Sequence, residues 1–313
     1  MTQSAGYRSF AIPDEAIGTD VRTAVFYPSP AGERPEPLGP FTESIARDGP
    51  LAQGSRPLVV VSHGTGSMPM LHRGLAMHLA RRGFVIAMPE HPGDSRTDSS
   101  LAGTEANLRN RPGHLRAVID WMLQCEFCGP SLSPDVVAVV GHSLGGYTAL
   151  ALAGGRPSAF AWETSSRRSS PIDITPDARV KTLVLLAPAA AWFLTNGALD
   201  DVCVPILMMT GDQDDLEIPG NKTLPDGRTV FVPWGHSEII KRGSRNRGLI
   251  DHRIVPNAGH YSFLSPYPVA MRTPAKPPSQ DPIGFDRVQF YERLCADVCT
   301  FLRKTLTFRD GQA

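Results

Sequence analysis

The sequence predicts an α/β fold: a mostly parallel central sheet with helices on both faces and loop or short lid insertions. Three observations predict it. From about residue 57 onward, strand-sized apolar runs alternate with segments of helical period. Those runs, such as Leu58-Val59-Val60-Val61, are apolar without alternation, as strands covered on both faces are. Hydrophobic residues make up 41% of the 313, enough for a packed core and too many for a disordered chain.

The elements follow in order. Residues 7–27 read as one or two additional strands, antiparallel, at the sheet's edge. Residues 28–56, rich in Pro and Gly, read as a long surface connection. Residues 58–62 form a buried strand. A helix over 69–82 then places Met70, Leu71, Leu75, Leu79 and Ala80 at helical spacing, and Gly83 ends it. Residues 84–88 are the next strand, stopped by Pro89. A helix over 112–123 opens on Pro112 and carries Leu115, Val118, Ile119 and Met122 on one face. Strands follow at 135–140, 180–186, 204–209 and, shorter, 254–255. Helices follow at 144–153 and 286–306, the latter striped by Val288, Tyr291, Leu294, Cys295, Val298 and Leu302. The irregular stretches 154–178 and 216–235 read as lids or substrate walls, so a single domain over 1–313 is expected.

Composition excludes several classes. Lys+Arg and Asp+Glu are 31 each, a net charge of zero that offers a polyanion no field, so no nucleic-acid partner is expected. No run reaches the roughly 18–20 apolar residues of a membrane span. The N-terminal MTQSAGYRSF has no basic cluster followed by an apolar stretch, so a cytoplasmic location is the expectation. The five cysteines are odd in number and sparse. Cys125 and Cys128 form a C-x-x-C without a second such pair or a histidine pair to complete a metal site. A structural role is favoured over a disulfide, and a disulfide over metal or redox chemistry. Cys295 and Cys299 share one helix face as small core residues. The scattered His72, His78 and His114 make no ligand set, and neither a metal nor an organic cofactor is expected.

The most informative string is Val136-Val-Ala-Val-Val-Gly141-His142-Ser143-Leu144-Gly145-Gly146: a strand, then G-x-S-x-G, then a helix. A serine hydroxyl is a weak nucleophile unless presented openly to a base. A tight strand-to-helix turn presents it, at the cost of backbone strain and with room only for small neighbours. Ser143 is therefore the candidate nucleophile, against a structural glycine turn. His142 adjoins it but points elsewhere on such a turn, and is expected to pack or hydrogen-bond beneath the site.

The base belongs on a downstream loop at the same edge of the sheet. His260 follows a short strand, with Gly259 expected to let the loop fold its imidazole back over Ser143. His236, at an apparent helix start, is the competitor, and His252 sits at the wrong end of its strand. The acid that orients the base belongs between them. Thr210-Gly211-Asp212-Gln213-Asp214-Asp215 follows a strand and offers three aspartates, with Asp214 favoured at the crest of the turn over Asp212 and Asp215. Ser62-His63-Gly64-Thr65-Gly66-Ser67 follows the first long strand. Its glycines allow close approach, and Thr65 with Leu144 are the candidate amide donors for an oxyanion. A phosphate-binding loop would need a Lys-Ser/Thr that is absent. His63 reads as a loop brace.

The strings SHGTGS, LARRGFVIAMPEHPG and GHSLGGYTAL resemble the α/β-hydrolase superfamily, and within it the branch of platelet-activating-factor acetylhydrolases and dienelactone-hydrolase-like proteins. The resemblance runs from about residue 20 to 302. It implies an α/β-hydrolase fold, with Ser143 as nucleophile, Thr65 and Leu144 as amide donors and His260 as base. Two departures stand out. Acetylhydrolases of this type carry their acid after the strand following the elbow helix, where this chain has Leu185-Leu-Ala-Pro-Ala-Ala190 without a carboxylate. That leaves the acid to the next strand and supports Asp214. True dienelactone hydrolases use cysteine where Ser143 stands.

The function expected is hydrolysis of a carboxylic ester or lactone through an acyl-enzyme, on a small-molecule ester or acyl substrate. Amide or peptide hydrolysis and acyl transfer could use the same residues, and a non-catalytic binding protein is the reading from another class. Met68, Met70, Trp192, Phe193, Tyr261 and Phe263 are the candidate pocket walls, each of which could equally be core.

Overall fold

The computed structural model describes residues 3–223 and 229–306. Two long strands open the chain, β1 (Ser4–Asp14) and β2 (Thr19–Ser29), paired antiparallel over their whole length. The segment expected as a surface connection holds a hairpin instead: β3 (Arg34–Leu38) and β4 (Phe41–Arg47). β4 lies parallel to β1, and β3 forms the sheet's edge. Pro35 and Pro37 mislead the sequence reading. Proline cannot donate to a ladder, but an edge strand is bonded on one side only and tolerates it. Leu38, Phe41 and Ile45 bury themselves beneath the hairpin.

The alternating part follows. β5 (Arg56–Ser62) leads through a 3-10 turn at Pro69–His72 into α1 (Arg73–Ala80). Gly83, at φ +98°, ends that helix before β6 (Val85–Pro89). Then come α2 (Glu105–Gln124), β7 (Leu132–His142) and α3 (Leu144–Leu152). A two-stranded ribbon of β8 (Ser158–Ala159) and β9 (Ser170–Pro171) occupies the first irregular stretch. β10 (Val180–Leu186) and β11 (Ile206–Gly211) return to the sheet. The second irregular stretch holds the hairpin of β12 (Gly220–Thr223) and β13 (Thr229–Val232). Residues 224–228 of this expected lid segment lie outside the described residues. α4 (His236–Gly243), β14 (Ile250–Val255) and α5 (Arg287–Thr305) complete the chain.

Among the described residues the main sheet has ten strands in the order β14-β11-β10-β7-β5-β6-β2-β1-β4-β3. From β6 to β14 all neighbours are parallel. α1 and α5 pack with one apolar cluster, on one face of the sheet. α2, α3 and α4 pack with the other. Helices therefore leave the strands toward both faces, and the C-terminal strand ends form the edge where loops diverge.

Helix α2 begins at Glu105, about two turns ahead of the Pro112 expected to open it. Thr104 caps it, its hydroxyl accepting from the Asn107 amide at 3.2 Å. Pro112 sits inside the helix, where it offers no N–H to the Leu108 carbonyl one turn back. The Tyr147 hydroxyl of α3 donates to that carbonyl instead, at 3.1 Å. A proline that would break the helix alone is accommodated by its neighbour. β14 is likewise longer than its expected two residues, so His252 lies within it, bonded to the Thr210 hydroxyl at 2.9 Å.

Candidate active site

β7 carries the chain to Ser143 at φ 55° and ψ −122°, and α3 starts at the next residue. This left-handed conformation is costly for a residue with a side chain. The surroundings hold it. A Cβ on Gly145 would lie 2.0 Å from the Ser62 carbonyl oxygen, and one on Gly141 would lie 2.2 Å from the Gly145 carbonyl oxygen. Glycine at these positions lets α3 pack directly on β5 and β7. The Ser143 carbonyl accepts from the Gly146 and Ala189 amides, both at 2.8 Å, which ties the turn to the loop after β10.

His260 opens a 3-10 turn (His260–Phe263) just past β14. Its Nε2 lies 2.9 Å from Ser143 Oγ, and its Nδ1 lies 3.0 Å from Asp214 Oδ2. With Nδ1–H donating to the carboxylate, Nε2 is left to accept the serine proton. Asp214 is 1% exposed, and its other oxygen accepts from the Leu216 amide at 2.9 Å. Of the three competing aspartates it is the one that meets the imidazole. Asp212 and Asp215 stay exposed on the turn.

The loops bearing Asp214 and His260 are bonded to each other. The Gln213 amide donates to the Ala258 carbonyl at 3.0 Å, and the Asp212 amide to the Val255 carbonyl at 3.3 Å. Gly211 permits this approach, since a Cβ there would fall 2.0 Å from the Ala258 oxygen. The left-handed residue of the base's loop is Asn257, at φ 57°, and not Gly259, whose φ is −100°. Asparagine reaches this region more readily than other side chains, which is why the glycine misleads the sequence reading.

His142 lies beneath the site. Its Nε2 is 3.0 Å from the His260 carbonyl, bracing the base's backbone. Full burial, reinforced by the nearby His260 and His72, holds its pKa well below the ordinary value, so it stays neutral. His236 starts α4 as expected, but its Nδ1 accepts the Ala190 amide at 2.9 Å, away from Ser143. Burial lowers its pKa to about 4.

Leu144 is the first residue of α3, where a backbone N–H has no acceptor within the helix. The loop after β5 approaches from the other side: a Cβ on Gly64 would lie 3.0 Å from the Ser143 Cβ. Thr65 follows, its hydroxyl donating to Asp94 Oδ1 at 2.7 Å. His63 braces this loop, accepting the His91 amide at 3.1 Å.

The expected pocket walls do not form one surface. Tyr261 stands beside the base, its ring edge-on to His260 at 5.2 Å and 37% exposed. Phe263 and Phe193 are buried in the core, the alternative left open for them, and Met70 is buried but for one edge. The first two turn inward on 3-10 turns, Phe263 against Phe290 and Phe193 against Tyr147. Met68 and Met70 face a groove of about 350 Å³ with Tyr7, Phe10, Arg22 and Glu90, whose walls include neither Ser143 nor His260. Trp192 is half-buried, with its indole N–H shared by both Glu163 oxygens at 3.1 and 2.9 Å.

Sequence reasoning missed a buried polar group behind the site. Asp94, Arg111 and Thr148 have no exposure, and Asn107 has 1%. Arg111 pairs with Asp94 at 2.7 Å. One signal was available. Arg111 lies three residues after Leu108 and four before Leu115, a charge on the apolar stripe of α2.

Comparison with known proteins agrees with this architecture. The family model of platelet-activating factor acetylhydrolase, isoform II, matches residues 37–116. The platelet-activating factor acetylhydrolase of Canis lupus familiaris is 27% identical, over 36% of this chain and 35% of its own length. The chain thus matches about a third of that relative's length. Among solved structures, a ferulic acid esterase from Streptomyces cinnamoneus aligns with a TM-score of 0.61 at 17% identity, covering 99% of this chain and 93% of its own. A dienelactone hydrolase-like promiscuous phosphotriesterase from metagenomic libraries aligns at 0.57 and 16%, covering 96% of this chain and 99% of its own. A puromycin-hydrolysing peptidase of Mycobacterium tuberculosis aligns at 0.57 and 15%, covering 97% of this chain and 40% of its own. These likenesses extend over nearly the whole chain and show that it has the α/β-hydrolase fold, with a family-model match confined to residues 37–116.

Proposed function

We propose that the protein is a serine hydrolase of carboxylic esters, with Ser143 as nucleophile, His260 as general base and Asp214 as its orienting acid. The observation that carries this reading is the hydrogen-bonded chain from Ser143 through His260 to Asp214, which begins at a strained serine on the turn into α3. In the first half-reaction Ser143 Oγ attacks the ester carbonyl while His260 Nε2 takes its proton. The tetrahedral oxyanion is met by the amides of Leu144 and Thr65, two preorganised donors. His260 returns the proton to the departing alcohol, and the acyl group stays on Ser143. Water, deprotonated by the same nitrogen, then releases the acid. Asp214 fixes the imidazole tautomer and stabilises the imidazolium.

The substrate class follows from two supports. Tyr261 sets an amphipathic ring beside the base, and the zero net charge offers no attraction to a polyanion. The family model and the canine relative are acetylhydrolases by name, which favours esters of short acyl groups. A panel of aryl and alkyl esters of varied acyl length, run with wild type and Ser143→Ala, tests the reading. Wild type should turn over the short-chain members and be labelled by a fluorophosphonate, and the variant should do neither. Equal labelling of the two proteins would sink the nucleophile assignment.

A further inference from the structure

The two amides proposed for the oxyanion belong to different elements, the loop after β5 and the start of α3. One buried ion pair is bonded to both. Asp94 Oδ1 accepts the Thr65 hydroxyl at 2.7 Å and the Gly66 amide at 2.9 Å. Its Oδ2 accepts Asn107 Nδ2 at 2.9 Å and Arg111 Nη1 at 2.7 Å. Arg111 Nη2 donates to the His63 carbonyl in the same loop, and at 3.4 Å to the Ser62 hydroxyl. On the other side, Arg111 Nε donates to the Thr148 hydroxyl at 3.1 Å, which itself donates to the Leu144 carbonyl at 3.1 Å. The path from Thr65 through Asp94, Arg111 and Thr148 to Leu144 is unbroken.

We infer that Arg111 and Asp94 are positioning residues that fix the spacing of the Thr65 and Leu144 amides across the site; this rests on the ester-hydrolase reading above. Stability alone is a poor reason for such a pair. Burying two charges costs about as much as their attraction returns, and apolar side chains of the same volume would serve a core as well. The guanidinium fork does something they cannot, bonding in one plane to an acidic anchor, a loop carbonyl and a helix-borne hydroxyl. Donors must lie about 2.7–3.1 Å from the developing oxyanion, so a drift of one element against the other removes much of their effect. Three histidines surround the guanidinium. His63, His91 and His114 are neutral, held so by burial and by the Arg111 charge, so none competes as a cation for Asp94.

Thr148→Val tests the inference, since it removes the shared hydroxyl with little change in volume. Phosphonylation of Ser143 by a fluorophosphonate should slow about tenfold, with the KM of a cleaved ester within about twofold of wild type. Thr148→Ser should restore the rate. The amide signals of Thr65 and Gly66 should shift in the nitrogen–proton NMR spectrum of Thr148→Val, although the substitution lies on the far side of Arg111. Asp94→Asn should shift the Leu144 amide in return. Phosphonylation within about twofold of wild type in Thr148→Val, or loop amides that do not move, would overturn the inference. If wild type itself resists phosphonylation at Ser143, the ester reading falls, and the amide signals alone decide whether the two elements are coupled.

Discussion

Ser143 occupies a conformation that costs on the order of 1–3 kcal/mol, and backbone packing keeps it there. Gly145 is the tightest part of that packing, with the Ser62 carbonyl 2.0 Å from where a Cβ would stand. The atoms it would meet are backbone of Ser62 and His63, so no side chain can swing away to make room. Gly145→Ala should cost about 3 kcal/mol or more in urea unfolding. Gly32→Ala, whose Cβ would meet nothing within 4 Å, should stay within about 0.5 kcal/mol of wild type. Asp214→Asn keeps the shape of the acid but removes the charge that selects the imidazole tautomer. Its kcat should fall on the order of 10³–10⁴-fold with KM little changed, read from steady-state kinetics on the best ester. Ser143 and Asp214 were legible because each stands on a short turn after an apolar strand, marked by Gly141 or Gly211, while His260 was legible from its place just past a short strand, though Asn257 and not Gly259 turns its loop. Asp94 and Arg111 were not read. Their meaning lies in a pairing between a loop and a helix that no local spacing encodes.

At the scale of elements, α2 shows why boundaries fail where element types succeed. Its apolar period was plain, yet Pro112 looked like a start because proline inside a helix leaves a carbonyl without its donor. Tyr147 supplies that donor from another helix, a tertiary contact outside any local window. Tyr147→Phe should therefore leave the buried Leu108 carbonyl unpaired and lower stability by about 1–3 kcal/mol in urea unfolding. An unchanged midpoint would mean the carbonyl is satisfied some other way. The same logic explains β3 and β4: proline and glycine suggested a connection, and pairing with β1 made strands. β10 and β11 were read well because their runs are apolar on both faces, which only a central strand requires.

At the scale of the whole molecule, the interior holds an unusual number of neutral histidines. Burial lowers His63 and His114 to about 3 and His72 to about 4, and holds His91 and His142 well below their ordinary values. Neither ring nitrogen of His72 has a hydrogen-bond partner among the described residues. The unfolded chain takes up protons on these groups below about pH 6.5, where the folded chain does not. Stability therefore falls as pH drops from about 6.5 toward 4.5, and recovers on the way back up. Urea unfolding across that window should show an uptake of at least two protons, about 2.7 kcal/mol per pH unit. A flat profile would mean that these imidazoles are charged or solvated in the fold.

The edge strand β3 has a consequence for solution behaviour. Pro35 and Pro37 alternate with Arg34 and Glu36 along it, so the outermost ladder of the ten-stranded sheet is short of amide hydrogens and rich in charge. A second polypeptide seeking to extend the sheet there would find an incomplete template. The same prolines that made the segment look unstructured disfavour fibril growth or strand exchange through this margin.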